Sequence, residues 1–155
     1  MQIRYECFVG LPPESLLQGL IQVHQRVFSG QTSEELRQEF EEVSNRNLFT
    51  ILALDDQTVV GYKMGYPRKP GHFYSWLGAV SPDYRRQGIA GELMRQQHNW
   101  CRANGFHTVR THTRNQWRDM LILNLRHGFD IIGTIANSNR PTTLILEKQL
   151  DSEQP

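Results

Sequence analysis

Two spacings of apolar residues divide this chain into segments. Short apolar runs and alternating apolar and polar residues are typical of strands, and they occupy residues 3–9, 48–54, 58–66, 73–80, 106–113, 129–136 and 142–150. Apolar residues three or four positions apart are typical of helices, and they occupy residues 15–28, 32–43, 89–104 and 116–127. The predicted order is therefore β-α-α-β-β-β-α-β-α-β-β, which describes an α/β protein with a mixed sheet between helices.

Turn and capping residues support these boundaries. Thr32 and Glu35 have the spacing of a capping box, and Gly128 follows the last apolar position of the final helix. Residues 67–71 are predicted to form a mobile basic loop, and residues 137–141 the turn of a closing hairpin. Because a crossover helix joins the fourth and fifth strands, we expect them to be parallel. The residues expected on the inner face of the final helix are Trp117, Met120, Leu121, Asn124 and Leu125.

The composition limits the classes to which this protein can belong. A chain of 155 residues is long enough for one domain with its own core; we assign residues 1–150 to that domain and residues 151–155 to a polar tail. A net charge of +1 gives no electrostatic reason to expect nucleic acid or an anionic membrane as a partner. No apolar run approaches membrane-spanning length and no signal peptide opens the chain, so we expect a cytoplasmic protein.

The two cysteines, Cys7 and Cys101, lie far apart in the sequence. Their separation matches neither a zinc site nor a redox motif, so we predict two reduced thiols and no bound metal. Cys101 falls on the apolar face of the long helix, where a core position is expected.

A turn between the fourth strand and the long helix carries the most informative chemistry. It contains two arginines, Arg85 and Arg86, and two glycines, Gly88 and Gly91. The first turn of a helix has unpaired N–H groups and a partial positive charge, so it can hold phosphate oxygens. Glycine lets such a ligand approach the backbone, and the arginines add positive charge. An ordinary strand–turn–helix corner with a solvated basic turn is the alternative.

Three features of the chain resemble the GNAT acetyltransferase superfamily. The string Val80-x-Pro82-x-x-Arg85-Arg86-x-Gly88-Ile89-Ala90 resembles its coenzyme A signature. The order of predicted elements is similar to the GNAT fold over essentially the full chain. The segment from Asn115 to Gly128-Phe129 resembles the motif that follows the fifth strand of the family. The resemblance implies that the fourth and fifth strands splay apart and that acetyl-coenzyme A is the co-substrate.

The resemblance also implies which residues bind acetyl-coenzyme A. The pantetheine arm is expected to pair with the backbone of the fourth strand, and the pyrophosphate with the amides that open the long helix. The cofactor-binding residues predicted in this way are Gly78, Ala79, Val80, Arg85, Arg86, Gln87, Gly88, Ile89, Ala90, Gly91 and Asn115. Gly78 within a strand is explained either by close approach of a ligand or by a β-bulge.

The family reaction is direct attack of an amine on the thioester, and the residues that move protons differ here from the family pattern. Where many members carry a tyrosine that protonates the leaving thiolate, this chain has Asn124, which can donate a hydrogen bond but has no proton to surrender. The alternative for Asn124 is a purely structural buried position. The fourth strand lacks the glutamate that often acts as a base, so His112 is our candidate base. An acceptor amine with a pKa near 8 would need no dedicated base, and His98, His107 and His127 are expected to be peripheral.

The acceptor is expected to contact three residues. Tyr74 and Trp76 share one face of the fourth strand and could stack on an acceptor or simply pack in the core, and His24 lies on a helix that walls the acceptor site in the family. The resemblance predicts a small-molecule or peptide amine as the acceptor, and a monomer or homodimer.

One alternative is a domain that binds acyl-coenzyme A as a sensor without catalysis. A nucleic-acid-binding domain is the other alternative, and the balanced charge argues against it.

Overall fold

The computed structural model of this protein describes residues 2–150, apart from the side chain of Asn137, so the predicted polar tail at residues 151–155 lies outside the described residues. The strands are β1 (Ile3–Val9), β2 (Phe49–Asp55), β3 (Thr58–Lys69), β4 (His72–Val80), β5 (Thr108–Arg114), β6 (Asp130–Asn137) and β7 (Arg140–Gln149). The helices are α1 (Glu14–Val27), α2 (Ser33–Ser44), α3 (Ile89–Ala103) and α4 (Arg118–Arg126). The predicted order of elements is confirmed.

The seven strands form one mixed sheet in the order β1-β2-β3-β4-β5-β7-β6. Neighbouring strands are antiparallel except β4 and β5, which are parallel as predicted. The long helix α3 connects these two strands, because a parallel pair needs a crossover that returns the chain to the same end of the sheet.

Helices cover both faces of the sheet. This explains why the sequence of β2 is a continuous apolar run. Leu52 and Leu54 belong to the core cluster formed with α1 and α2, which we call the α1/α2 face. Phe49, Ile51 and Ala53 belong to the cluster formed with α3, which we call the α3 face. Successive side chains of a strand point to opposite faces, so a strand buried on both sides has no polar alternation.

The capping box predicted for the second helix is confirmed. The backbone N–H of Glu35 donates to Thr32 Oγ1 at 3.1 Å, and the Glu35 carboxylate accepts from the N–H of Thr32 at 2.9 Å. Two N–H groups that lack a partner inside the helix are thereby satisfied.

The prediction of a loop at residues 67–71 is wrong, because β3 continues to Lys69 and the turn is confined to Pro70 and Gly71. Beyond Gly65, which pairs with Phe49, β3 has no neighbour on its β2 side. Pro67 is therefore tolerated, since its missing N–H is needed by no partner strand on that side, and the register of β3 against β4 shifts just after it.

The closing hairpin is tighter than predicted, since β6 ends at Asn137 and β7 begins at Arg140. Pro141 lies within β7, beyond the last pair that β7 makes with β5, which joins Arg114 and Thr143. No helix of the part of the chain that the structure describes is long and apolar enough to cross a membrane.

Candidate functional site

The parallel strands β4 and β5 separate partway along their length. They are paired from His72 and Thr108 to Ser75 and Thr111, and no further. At the last pair, the Thr111 Oγ1 hydroxyl donates to the carbonyl oxygen of Ser75 at 2.9 Å. We call the divergence beyond Ser75 and Thr111 the fork. On its β5 side, the remainder of β4 through Val80 pairs with no strand of residues 2–150, so its backbone groups there are open to a ligand.

A β-bulge in β4 lies at the fork. Met64 pairs with Leu77 and Gly65 with Ser75, so Trp76 is the extra residue. Trp76 and Leu77 are consecutive, yet both pack against the core cluster on the α1/α2 face. The bulge therefore lies at Trp76 and not at Gly78, which pairs regularly with Lys63.

The turn that precedes α3 has the geometry of an anion site. Gly88 is the N-cap residue in the left-handed conformation (φ 78°), and no side chain caps the helix. Arg86 is also left-handed (φ 63°). Nothing lies within 4 Å of the position that a Cβ would take at Gly88, and Arg85, Arg86 and Gln87 are exposed. The unpaired N–H groups of Ile89, Ala90 and Gly91 are thus available to phosphate oxygens.

Side chains from α1 and β2 hold this turn in place. Arg26 Nη1 donates to Ser81 Oγ at 2.9 Å and to Asp83 Oδ2 at 3.0 Å. The Tyr84 hydroxyl donates to Asp55 Oδ2 at 2.7 Å. Sequence reasoning missed these anchors, because the partners lie far apart in the chain and belong to no motif.

A small cleft lies on the α3 face, beside the first turn of α3 and residues of α4. It is lined by Tyr62, Lys63, Gly78, Ala79, Val80, Ala90, Leu93, Met120 and Leu123. Four residues predicted to bind acetyl-coenzyme A (Gly78, Ala79, Val80 and Ala90) therefore meet on one surface. Lys63 belongs to the same surface and was not predicted; its position on a strand next to β4 was the only indication in the sequence.

Asn124 lies on α4, one turn after Met120 and next to Leu123, both of which line the cleft. It is 3% exposed. The backbone carbonyl of Asn124 accepts hydrogen bonds from the N–H of His127 at 3.1 Å and from the N–H of Phe129 at 3.0 Å. Its side-chain amide bonds to no residue that the structure describes. The amide nitrogen and oxygen of this side chain therefore keep hydrogen-bonding capacity for a ligand.

The predicted inner face of α4 is wrong for two residues: Trp117 is 36% and Leu125 44% exposed. Within α4, Asn124 alone is buried. Beside the open fork there is less sheet for a helix to pack against. Fewer residues of α4 are therefore buried than the spacing of its apolar residues predicts.

His112 lies on β5, one residue beyond the last pair with β4. It is exposed, and its ring centroid is 5.2 Å from that of Tyr74. Partial burial, with the positive charges of Arg110 and Arg68, lowers the pKa of His112 below its usual value. The imidazole is therefore neutral at pH 7 and able to accept a proton.

Tyr74 and Trp76 form an aromatic group with Tyr66, which we call the aromatic floor. The ring of Tyr66 lies 5.4 Å from Tyr74 and 5.9 Å from Trp76. Arg46 lies over the Tyr66 ring at 5.6 Å, and Phe40 packs edge-on against Trp76 at 5.8 Å. The aromatic floor lies on the α1/α2 face, which is opposite to the cleft.

His24 and Asn115 lie apart from these groups. His24 is 5% exposed, and its Nδ1 is 2.5 Å from the Tyr62 hydroxyl. Burial lowers the pKa of His24, so the ring is neutral inside the core between Phe28 and Phe40. Asn115 is exposed in the turn between β5 and α4.

His98 was expected to be peripheral, and that expectation is wrong, because it lies on the buried face of α3 and is only 2% exposed. Cys101 is fully buried as predicted, and both cysteines are free thiols. Within residues 2–150, no group of three or more His, Cys, Asp or Glu side chains could hold a metal ion.

Comparisons with solved structures find proteins of the same fold. The ribosomal-protein-S18-alanine N-acetyltransferase from Escherichia coli gives a TM-score of 0.81 at 15% identity, covering 97% of this chain and 97% of that chain. An aminoglycoside 6'-N-acetyltransferase complexed with coenzyme A gives 0.81 at 14% identity, covering 97% and 99%. A chain of the NatC complex bound to Gag peptide and CoA gives 0.77 at 18% identity, covering 97% and 100%. A search of curated proteins found no match.

The family model for the Acetyltransferase (GNAT) family matches residues 17–129, which extend from within α1 to the residue before β6. The matched residues include the fork, the uncapped start of α3 and the residues that line the cleft. This chain therefore belongs to the GNAT acetyltransferase family, and acetyl-coenzyme A is its co-substrate.

Proposed function

We propose that this protein transfers the acetyl group of acetyl-coenzyme A to a primary amine by direct attack of the amine on the thioester. The observation that carries the proposal is the fork. It leaves β4 unpaired on its β5 side beyond Ser75, with the cleft beside this part of β4 on the α3 face and the aromatic floor on the other face. Two substrates can thus meet at one opening in the sheet. Holding both in a reactive geometry supplies much of the rate enhancement.

In this proposal, each part of the coenzyme A site has a separate role. The first N–H groups of α3, with Arg85 and Arg86, hold the pyrophosphate. The open edge of β4 pairs with the pantetheine amides, as an added strand would. A backbone N–H of the same edge stabilises the negative charge that develops on the thioester oxygen. Asn115, in the turn before α4, is proposed to contact the same ligand.

His112 and Asn124 are proposed to act on the two reacting groups. The neutral imidazole of His112 accepts a proton from the acceptor amine, because its lowered pKa keeps it unprotonated at pH 7. The unpartnered amide of Asn124 donates a hydrogen bond to the sulfur as negative charge develops there. Neither role requires a covalent intermediate with the enzyme.

The acceptor is proposed to approach over the α1/α2 face. Tyr74 and Trp76 would lie beneath it, and His24 would support this wall from the core through its contact with Tyr62. Similar structures include enzymes named for a protein alanine and for aminoglycosides, so peptide and small-molecule amines are both proposed acceptors. With both cysteines free, we propose a cytoplasmic location.

A second candidate function is binding of acyl-coenzyme A without turnover. It is favoured by Asn124, which cannot give a proton to the leaving thiolate, and by the absence of a carboxylate from β4. The two functions differ in one measurable respect, which is release of free coenzyme A.

The test is a screen of amine classes with release of coenzyme A as the readout. Peptides with free N-termini, lysine peptides, free amino acids, polyamines and aminoglycosides are each incubated with acetyl-coenzyme A. Amine-dependent thiol release, with acetylated product seen by mass spectrometry, supports the enzyme. A parent protein that gains thermal stability from acetyl-coenzyme A but releases no thiol with any amine supports the second function instead.

A further inference from the structure

Lys63 places a positive charge in the wall of the cleft. It pairs with Gly78 across β3 and β4, and its side chain runs through the space beside that glycine. A Cβ at Gly78 would lie 3.5 Å from Lys63 Cγ and 3.6 Å from Lys63 Nζ. These are ordinary contact distances, so the Lys63 side chain and its ammonium group lie directly beside Gly78 in the cleft wall.

Lys63 has no partner among residues 2–150 that could satisfy its charge. Its ammonium group forms no hydrogen bond and no ion pair with any residue from 2 to 150. Burial lowers the pKa of Lys63 to about 8. A lysine in such a site exchanges its proton near neutral pH, which an exposed lysine does not do.

Lys63 belongs to a cluster of basic groups that influence one another. His98 and Arg102 belong to α3, His127 follows α4, and Lys148 lies on β7. The positive charges of Lys148 and Lys63 act on both His98 and His127, and Arg102 and His127 also act on His98. Burial and these neighbouring charges lower the pKa of both His98 and His127. No carboxylate is among these groups, so nothing in this cluster fixes the proton on Lys63.

We propose that Lys63 is the general acid that protonates the departing sulfur of coenzyme A. This inference rests on the proposed acetyl transfer. It fills the role left open by Asn124, which lies on α4 beside two residues that line the same cleft as Lys63. Asn124 orients the sulfur, and Lys63 supplies the proton.

The step balances as follows. The lone pair of the amine nitrogen forms a bond to the thioester carbon, and the nitrogen loses one proton to His112 or to water. The carbon–sulfur bond then breaks, and its electron pair goes to sulfur. Sulfur takes a proton from Lys63 Nζ, so the products are the amide and the free thiol. The neutral amine of Lys63 and the protonated base return to their starting states by exchange with solvent.

Other side chains with a suitable proton are poorly placed for this step. The Tyr62 hydroxyl is next to His24 in the core of the α1/α2 face. The Cys101 thiol is fully buried in the core of the α3 face. The pKa of His98 is lowered to about 2, so this histidine carries no proton to donate at neutral pH.

The experiment compares the parent with Lys63→Met and Lys63→Arg, using an acceptor found in the amine screen. We expect kcat to fall about 100-fold in both variants, the usual worth of a general acid. Dissociation constants for acetyl-coenzyme A and melting temperatures are measured alongside, and we expect them to change little. Lys148→Met is the control, because it removes a cation of the same cluster that does not line the cleft.

The pH profile separates proton donation from a simple effect of charge. A general acid must be protonated, so kcat of the parent is expected to fall as pH rises through about 8. That limb is expected to disappear in both Lys63 variants and to remain in Lys148→Met. A Lys63→Arg protein with parental kcat would overturn the proposal, because arginine keeps the charge but does not release its proton. A parent that turns over no amine would overturn the acetyl transfer itself, and this inference with it.

Discussion

Thr111 donates its hydroxyl to the carbonyl of Ser75 at the last backbone pair that β4 and β5 share. Both residues are buried, and β4 and β5 diverge immediately beyond them. This side-chain bond therefore supports the fork at the point where the backbone ladder stops. The opening through which two substrates are proposed to meet depends on a residue that contacts neither of them.

Thr111→Val tests this support, because valine keeps the shape of threonine and removes the hydroxyl. We expect a loss of about 1–3 kcal/mol of unfolding free energy, the cost of an unsatisfied buried group. Urea unfolding measures it. Thr113→Val is the matched control, since Thr113 is buried on the same strand and its hydroxyl bonds to no residue described. Equal losses in the two variants would show that the bond at the fork has no special weight.

Gly88→Asp is expected to abolish binding of acetyl-coenzyme A, because it sets a negative charge beside the phosphate site at the start of α3. Gly88→Asn is the matched control: asparagine has the same shape, no charge, and tolerates the left-handed conformation that Gly88 adopts. We expect Gly88→Asn to retain most of the thermal shift that acetyl-coenzyme A produces. Normal affinity in a folded Gly88→Asp protein would contradict the assignment of the turn.

Asn124→Ala is expected to lower kcat by about tenfold to a hundredfold, the worth of one hydrogen bond to a charged group. Affinity for acetyl-coenzyme A should change much less, because a neutral thioester sulfur is a weak acceptor. Steady-state kinetics and isothermal titration separate the two effects. Ile122→Ala, at an exposed position of the same helix, is the control. Parental turnover in Asn124→Ala would leave this side chain with a structural role only.

His112→Gln is expected to reduce kcat/KM most strongly near neutral pH. In the parent, activity should fall as pH drops through the lowered pKa of His112, because the protonated ring is no base. The variant should lose this limb of the profile. His107→Gln, at the opposite end of β5 from the fork, should keep it. A profile unchanged by His112→Gln would mean that the acceptor amine loses its proton directly to water.

The pH dependence of the unfolding free energy should show the effect of burying His24. The pKa of His24 is lower in the folded protein than its usual value of about 6.5. As pH falls below about 6.5, His24 therefore becomes protonated in the unfolded chain while it stays neutral in the folded chain. Stability contributed by neutral His24 is therefore present above that pH and is lost as pH falls. His24→Phe should reduce the slope of unfolding free energy between pH 7.5 and 5.5 by up to about 1.4 kcal/mol per pH unit. An unchanged slope would show that His24 does not titrate in this way.

Features that depend on neighbours in sequence could be read from the sequence. The capping box of Thr32 and Glu35 and the turn that Gly88 ends are set by spacing over a few residues. Periodicity likewise fixed the order of the elements, because a strand or helix must turn its apolar residues to one side wherever it packs. The family string at residues 80–90 predicted a phosphate site on this framework.

The tertiary structure alone decided which distant residues meet. Pro67 continues a strand because β2 does not extend alongside it, and the bulge falls at Trp76 because of how β3 and β4 are paired. Lys63 and His98 belong to no local sequence motif. Folding nevertheless places His98 on the buried face of α3 and Lys63 in the wall of the cleft. Burial and the charges of neighbours shift a pKa, and both depend on contacts between residues far apart in the chain. The sequence therefore predicted where a phosphate would bind, and the fold decided which distant side chains come together around the cleft.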